Sequence, residues 1–333
     1  MFMVELSLGD TSRILVHGRS PAEDGALLLG WPNSGFTARF YASDACVCLL
    51  PFRADSPAYL KVIADGREFK FAVSTGKEKL LLENLGDGLH ELTVLLVTEV
   101  AAPLKLDSLR IFGEGARFAA PPAERDIRIE FAGDSITCGY GVLGEPTVPG
   151  FNTHEEDSTR AYAYMTAEKL GASGRYIAIS GKGIVCNCNG EKELEIPYFY
   201  TLAYRNGPEW DFSLWVPDAV VINAGTNDVC GRAPVDEFKK KAGDFLRFIR
   251  GLYPQALIIW AYGMMNTAFS GALKEVIDGM GDDGMIFVPL EPISRENGDV
   301  GANGHPNVKA SERVSEALAS VIRNELCRRG KRL

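Results

Sequence analysis

The sequence predicts an all-β sandwich of jelly-roll type followed by a three-layer α/β domain built on a parallel sheet. Three observations carry this. The first 120 residues hold short runs rich in Val, Leu, Phe and Tyr separated by turn signals, a proline-rich break comes next, and beyond it apolar strand-like runs alternate with helical patterns. A chain of 333 residues exceeds what one core usually organises, so two domains are expected: 1–120, a linker at 121–125, and 126–333.

The expected strands of the first domain are ARFYA, CVCLLPF, YLKVIAD, REFKFAV, KLLLENL, HELTVLLVTE and LKLDSLRIFG. Turns are expected at Ala64-Asp65-Gly66, Ser74-Thr75-Gly76 and Gly86-Asp87-Gly88. The linker contains Pro121-Pro122, a pair that resists both helix and central strand. Next come an alternating strand at 126–132, a helix at 160–170 closed by Gly171, and a short strand at 176–179. The run AVVINA at 219–224 is apolar throughout, as in a strand covered on both faces. Helical periodicity spans 235–253 and stops before Pro254; a buried strand at 256–262, a helix at 269–279, a strand at 285–289 and a helix at 307–329 complete the chain.

Composition narrows function. Hydrophobic residues make up 46% and charged residues 24% of the chain, and the formal charge is −9. That balance argues against a nucleic-acid backbone or an anionic membrane as partner and leaves neutral polymers open. No run reaches the ~18 apolar residues of a membrane span. The N-terminus MFMVELSLGDTSR lacks a basic region, a long apolar run and a cleavage site, so a cytoplasmic protein is expected. Seven scattered cysteines do not form a disulfide framework, and no histidine stands near the pairs Cys46/Cys48 or Cys186/Cys188, so reduced thiols and no metal site are expected. Oligomeric state is not legible.

In open α/β sheets ligands bind beyond the carboxyl ends of the strands. The residues just beyond each expected strand are therefore informative. Gly133-Asp134-Ser135-Ile136-Thr137 stands after the first, Ser180-Gly181-Lys182-Gly183 after the second, and Gly225-Thr226-Asn227-Asp228 after the third, while Gly304-His305-Pro306-Asn307 precedes the last helix. A serine hydroxyl needs an adjacent base, and imidazole titrates in the right range, so Ser135 and His305 are the candidate nucleophile and base. The oxyanion formed on acyl transfer needs preorganised donors: the Ser135 N–H, a glycine N–H (Gly181 first, Gly183 second) and the Asn227 amide are the candidates.

The blocks at 133–137, 225–228 and 305–306 resemble those of the SGNH (GDSL-like) hydrolases. Gly-Asp-Ser-Ile-Thr-Cys-Gly-Tyr-Gly at 133–141 is closer still to the family-two carbohydrate esterases. The tracts from Trp210-Asp211-Phe212 through Pro217-Asp218 and from Ile249-Arg250 through Tyr253-Pro254, and the order of domains, are similar too. The resemblance implies a flavodoxin-like hydrolase domain and deacetylation of acetylated saccharides, with no metal or organic cofactor. Most of the superfamily has Asp three residues before the histidine; here Ala302 stands there, and Gly304 occupies a place that is often aromatic. The resemblance therefore implies a Ser–His dyad in which the carbonyl of Asn303 orients the imidazole, with Asp299 as fallback triad partner.

Other residues are read as structural. His154 is expected on a surface loop, Tyr140, Trp210, Trp215 and Trp260 in packing rather than sugar stacking, Met264 and Met265 as packing near the site, Lys239-Lys240-Lys241 as a solvated helix face, and Cys138 as an inert thiol. Two further functions stay open: a lipase-like or general short-chain esterase, and a non-catalytic carbohydrate-binding protein.

Overall fold

The computed structural model describes residues 2–51, 56–74, 79–147, 150 and 152–332. The chain divides into two compact units, Met1–Glu124 with Ala203–Pro208, and Arg125–Leu202 with Glu209–Leu333. Nothing in the composition around 203–208 marks that segment as part of the first unit.

The first unit holds twelve strands among the described residues: β1 (Met3–Ser7), β2 (Leu15–His17), β3 (Ala22–Glu23), β4 (Ala26–Leu29), β5 (Gly35–Tyr41), β6 (Asp44–Leu49), β7 (Ala58–Ala64), β8 (Arg67–Val73), β9 (Lys79–Leu82), β10 (Leu89–Leu96), β11 (Leu104–Phe112) and β12 (Arg117–Phe118). They form two antiparallel sheets, β3-β4-β11-β6-β9 with β1 also on β11, and β12-β5-β10-β7-β8 with β2 also on β5. Period-two alternation explains the pairing of faces. In β10, Leu92, Val94 and Leu96 join the core with Leu60 and Val62 of β7 and Phe36, Ala38 and Phe40 of β5, while Glu91 and Thr93 face the other way. From the opposite sheet, Leu27, Leu29, Val47, Leu49, Leu109 and Ile111 complete the same core. All seven expected strands are present. β1 to β4 and β12 were not expected; most are short and lack alternation. Phe52 of the expected CVCLLPF strand, and Thr75 and Gly76 of the expected turn, lie outside the described residues.

Among the described residues the second unit has five parallel strands: β13 (Arg128–Gly133), β14 (Ser173–Ala178), β15 (Ala219–Asn223), β16 (Leu257–Tyr262) and β17 (Met285–Pro289). Their order is β14-β13-β15-β16-β17, the doubly wound 2-1-3-4-5 arrangement. Among the described residues seven α-helices accompany them: α1 (Ser135–Cys138), α2 (Tyr162–Lys169), α3 (Ile196–Phe199), α4 (Thr226–Cys230), α5 (Val235–Leu252), α6 (Ser270–Met280) and α7 (Val308–Arg328). Every residue of β15 and β16 is buried, as continuous apolar runs require when both faces are covered. On one face, Tyr162, Ala163 and Ala167 of α2 and Ala310, Val314, Leu318 and Ile322 of α7 pack on Phe131, Val221 and Ile259. On α5, the buried residues Phe238, Ala242, Phe245, Leu246 and Ile249 recur at helical spacing, and Phe238 meets Trp260 of β16 edge-on with ring centroids 6.3 Å apart. Lys240 and Lys241 are exposed on the opposite side of α5. Gly171 takes a left-handed conformation (φ 59°) directly after the α2 cap.

The expectation of seven reduced cysteines is corrected at one pair. Cys188 and Cys230 are disulfide-bonded, with Cα atoms 4.9 Å apart and a sequence separation of 42. Cys188 lies in the segment after β14 and Cys230 ends α4 after β15, so the sheet brings together residues whose spacing in the chain signals nothing. Among the described residues no helix is long and apolar enough to cross a membrane.

Replacing Cys188 and Cys230 together by Ser should lower the unfolding free energy by about 2–4 kcal/mol, because the cross-link restricts a long loop in the unfolded chain. Urea denaturation of the variant and of oxidised and reduced wild type measures this, and reduced wild type should match the variant.

Candidate active site

The site forms at the switch point of the sheet, where β14 and β15 leave β13 on opposite sides. Ser135 opens α1 directly after β13. Asp134 caps this helix, its Oδ1 accepting from Ile136 N–H at 3.1 Å. Gly139, at φ 79°, closes the same turn by donating to the Ser135 carbonyl. A Cβ on Gly133 would stand 2.2 Å from Thr137 Oγ1, so only glycine lets the strand turn this tightly into the helix.

His305 lies in the loop before α7. Its Nε2 is 2.8 Å from Ser135 Oγ, and its Nδ1 is 3.3 Å from the carbonyl of Asn303. A carbonyl can only accept, so Nδ1 carries the proton and the Nε2 lone pair faces the serine hydroxyl. Burial pushes the pKa of His305 below its ordinary value, and the hydrogen bonds to the Asn303 and Ala302 backbone offset this only partly. The ring is therefore neutral at neutral pH and able to accept a proton.

Asn227, in the first turn of α4, uses both amide hydrogens: Nδ2 donates to Asp134 Oδ2 at 3.0 Å and to the Lys182 carbonyl at 2.8 Å. One side chain thus joins the loops after β13, β14 and β15. Its neighbour Asp228 is fully buried and accepts from the N–H groups of Ile184, Val185 and Cys186 at 2.6–3.2 Å. Burial raises the pKa of its carboxyl, and these N–H groups oppose the rise.

Gly181 is left-handed (φ 78°), its carbonyl accepts from Cys188 N–H, and a Cβ there would meet open space. With Ser180, Lys182, Asn187, Cys188 and Asn189 it lines a cavity of about 450 Å³. A Cβ on Gly183 would stand 2.1 Å from the Cys186 carbonyl and 2.7 Å from Asp228 Oδ2, so packing dictates that glycine.

The structure thus brings Ser135, His305 and the Asn303 carbonyl together, and ties Asn227 to Asp134. It does not bring Asp299 to the imidazole. The Asp299 carboxylate is buried, accepting from Ser294 N–H and from Arg313, each at 2.7 Å. The fallback triad is corrected on that ground: an ion pair with α7 has taken the carboxylate. Sequence reasoning took Asp228 only as the last residue of the block at 225–228 and gave it no role, and it read Tyr140 as packing rather than as a neighbour of His305. The Tyr140 ring lies 4.6 Å from the His305 ring, centroid to centroid. Trp260 is buried and donates to the Ala224 carbonyl, Trp215 is buried beneath Arg128 and Arg175, and Met264 is in the core. Cys138 is a buried thiol outside the disulfide, and His154 is exposed.

The family model for GDSL-like lipase/acylhydrolases matches residues 131–324, more than half the chain. The chain belongs to the GDSL-like lipase/acylhydrolase family. A second model, the N-terminal domain of carbohydrate esterase family 2, matches residues 16–122. The chain is 32% identical over 336 residues to the cellulase/esterase CelE of Acetivibrio thermocellus, a match that covers 95% of this chain and 40% of that protein. It is 29% identical over 174 residues to an acetylxylan esterase / glucomannan deacetylase of Cellvibrio japonicus, covering 49% of this chain and 47% of the relative. The chain therefore spans less than half the length of each of these relatives. Among solved structures, a family two carbohydrate esterase from Clostridium thermocellum in complex with cellohexaose superposes with a TM-score of 0.87 at 29% identity, covering 94% of this chain and 99% of that one. An acetyl xylan esterase from Butyrivibrio proteoclasticus, at 21% identity, shares the fold with a TM-score of 0.90 over 98% of this chain and 99% of that one.

Two histidines should titrate on opposite sides of the ordinary imidazole value of 6.5. His305 should titrate below it. His90 should titrate above it, since burial, which lowers its pKa, is outweighed by hydrogen bonds to Asp65 and Gly86. NMR titration of the ring protons, assigned by substitution of each histidine, reads both.

Proposed function

We propose that this chain is a serine esterase that removes O-acetyl groups from acetylated saccharides through a Ser135–His305 dyad. The observation that carries this is the 2.8 Å approach of His305 Nε2 to Ser135 Oγ, with Nδ1 turned to the Asn303 carbonyl. The saccharide substrate is supported by the family 2 N-terminal model and by the carbohydrate esterases named among the relatives.

Ser135 Oγ attacks the acetyl carbonyl carbon as His305 Nε2 takes the hydroxyl proton. The oxyanion that develops is met by the Ser135 N–H, by the Gly181 N–H and by Asn227, whose amide hydrogen turns from the Lys182 carbonyl toward the new charge. Collapse breaks the bond between the acyl carbon and the sugar oxygen, and His305 returns the proton to that oxygen. Water then attacks the acetyl-serine, giving its proton to His305; acetate leaves and the proton goes back to Ser135. Asn303 supports this cycle through its backbone carbonyl, which accepts from Nδ1 whether the ring is neutral or charged.

Hydrolysis of 4-nitrophenyl acetate tests the dyad. Ser135→Ala and His305→Ala should abolish turnover in folded protein, and Asn227→Ala should lower kcat by roughly 10²–10³-fold. Asp299→Asn should keep turnover within about tenfold of wild type while lowering Tm, because it weakens a structural ion pair rather than the base. Undiminished turnover by Ser135→Ala would remove the assigned nucleophile. Release of acetate from acetylated xylan or glucomannan fragments, set against nitrophenyl esters of increasing chain length, tests the saccharide reading: preference for long acyl chains points instead to a lipase-like enzyme.

A further inference from the structure

We propose that Tyr140 is a positioning residue for the base: its hydroxyl holds Asn303 and its ring backs His305, so that the Asn303 carbonyl stays on Nδ1. This rests on the reading of Ser135 and His305 as nucleophile and base.

The orienting carbonyl belongs to a loop in an uncommon conformation. Asn303 sits at φ 49° and Gly304 at φ 73°, two successive left-handed residues. A non-glycine residue is seldom left-handed, and persists there where its surroundings hold it. Asn303 is exposed, so core packing does not do the holding. Its side chain instead donates from Nδ2 to Tyr140 Oη at 3.1 Å, while its own carbonyl accepts from His305 Nδ1. Asn303 is thus a two-ended link between Tyr140 and the base.

The other end of the link is fixed to the nucleophile. Tyr140 N–H donates to the Ser135 carbonyl at 3.1 Å, and Ala302 N–H donates to the carbonyl of Gly141 at 3.1 Å. The fit is close: a Cβ on Gly301 would stand 2.5 Å from the Gly141 carbonyl oxygen, and one on Gly141 would stand 2.9 Å from that of Ala302. Residues 135–141 therefore supply the nucleophile and, one turn later, the clamp on the loop that aims its base. The half-buried Tyr140 ring, tilted 45° to the imidazole, blocks rotation of the ring toward its own side. A carbonyl at 3.3 Å is a weaker holder of an imidazole than a carboxylate would be, which makes an additional constraint on its position matter.

The test compares wild type, Ser135→Ala, Tyr140→Phe, Asn303→Gly and the double variant Tyr140→Phe/Asn303→Gly on 4-nitrophenyl acetate across the acid limb of the pH profile. Tyr140→Phe keeps the ring and removes the hydroxyl; Asn303→Gly keeps the left-handed backbone and its carbonyl and removes the amide. Each should lower kcat by roughly two- to tenfold with KM unchanged, the range one hydrogen bond commands. Each should also move the acid limb to lower pH, since the bond from Nδ1 to the Asn303 carbonyl raises the imidazole's pKa. The double variant should be no slower than either single one, because both remove the same link. Wild-type kcat and acid limb in Tyr140→Phe, beside an inactive Ser135→Ala, would overturn the positioning role and leave the dyad standing. Additive losses in the double variant would overturn the shared link in the same way. Full activity in Ser135→Ala would overturn both readings together.

Discussion

The two hydrogens of the Asn227 amide decide whether this site exists. One goes to Asp134, the residue before the nucleophile, and the other to the carbonyl of Lys182, next to Gly181. The segments that leave three different strands are thus linked through one planar amide group. Asp228 continues the same task one residue on, taking the amides of 184–186 that would otherwise be buried donors without acceptors. The loop after β15 is in this sense the keystone: it fixes the nucleophile's cap on one side and the glycine loop on the other.

Much of this was legible in the sequence. The runs at 219–224 and 256–262 could only be covered strands, and the heptad-like burial of α5 and α7 is written in their apolar spacing. Ser135, Gly181, Asn227 and His305 could be picked out because each stands just beyond a strand or just before a helix, where a parallel sheet exposes side chains to ligands. Reading failed where the information is not local. β3 and β12 are two residues long, and β4 is buried at every position, so none of the three shows alternation. Asp299 stood near the histidine in sequence, but an arginine on α7 lay closer to it in space. Cys188 and Cys230 meet only because β14 and β15 flank β13.

The choice of a carbonyl rather than a carboxylate behind the imidazole has electrostatic consequences. A dipole fixes the tautomer as well as an ion does, yet does less to stabilise the positive charge that the ring acquires during proton transfer. Burial already disfavours that charge in His305. The neutral ring is thus favoured, which is the form from which the proposed cycle starts.

The hydroxyl of Ser135 and the ring of His305 are 170 residues apart in the chain. Closing a loop of that length comes with a large entropy cost before the contact gives anything back. No fragment that ends before residue 305 contains both groups, and no single helix presents them. Recovery of the proposed esterase turnover during refolding would therefore track a highly non-local contact, arriving after secondary structure has formed and reporting completion of the sheet rather than its initiation.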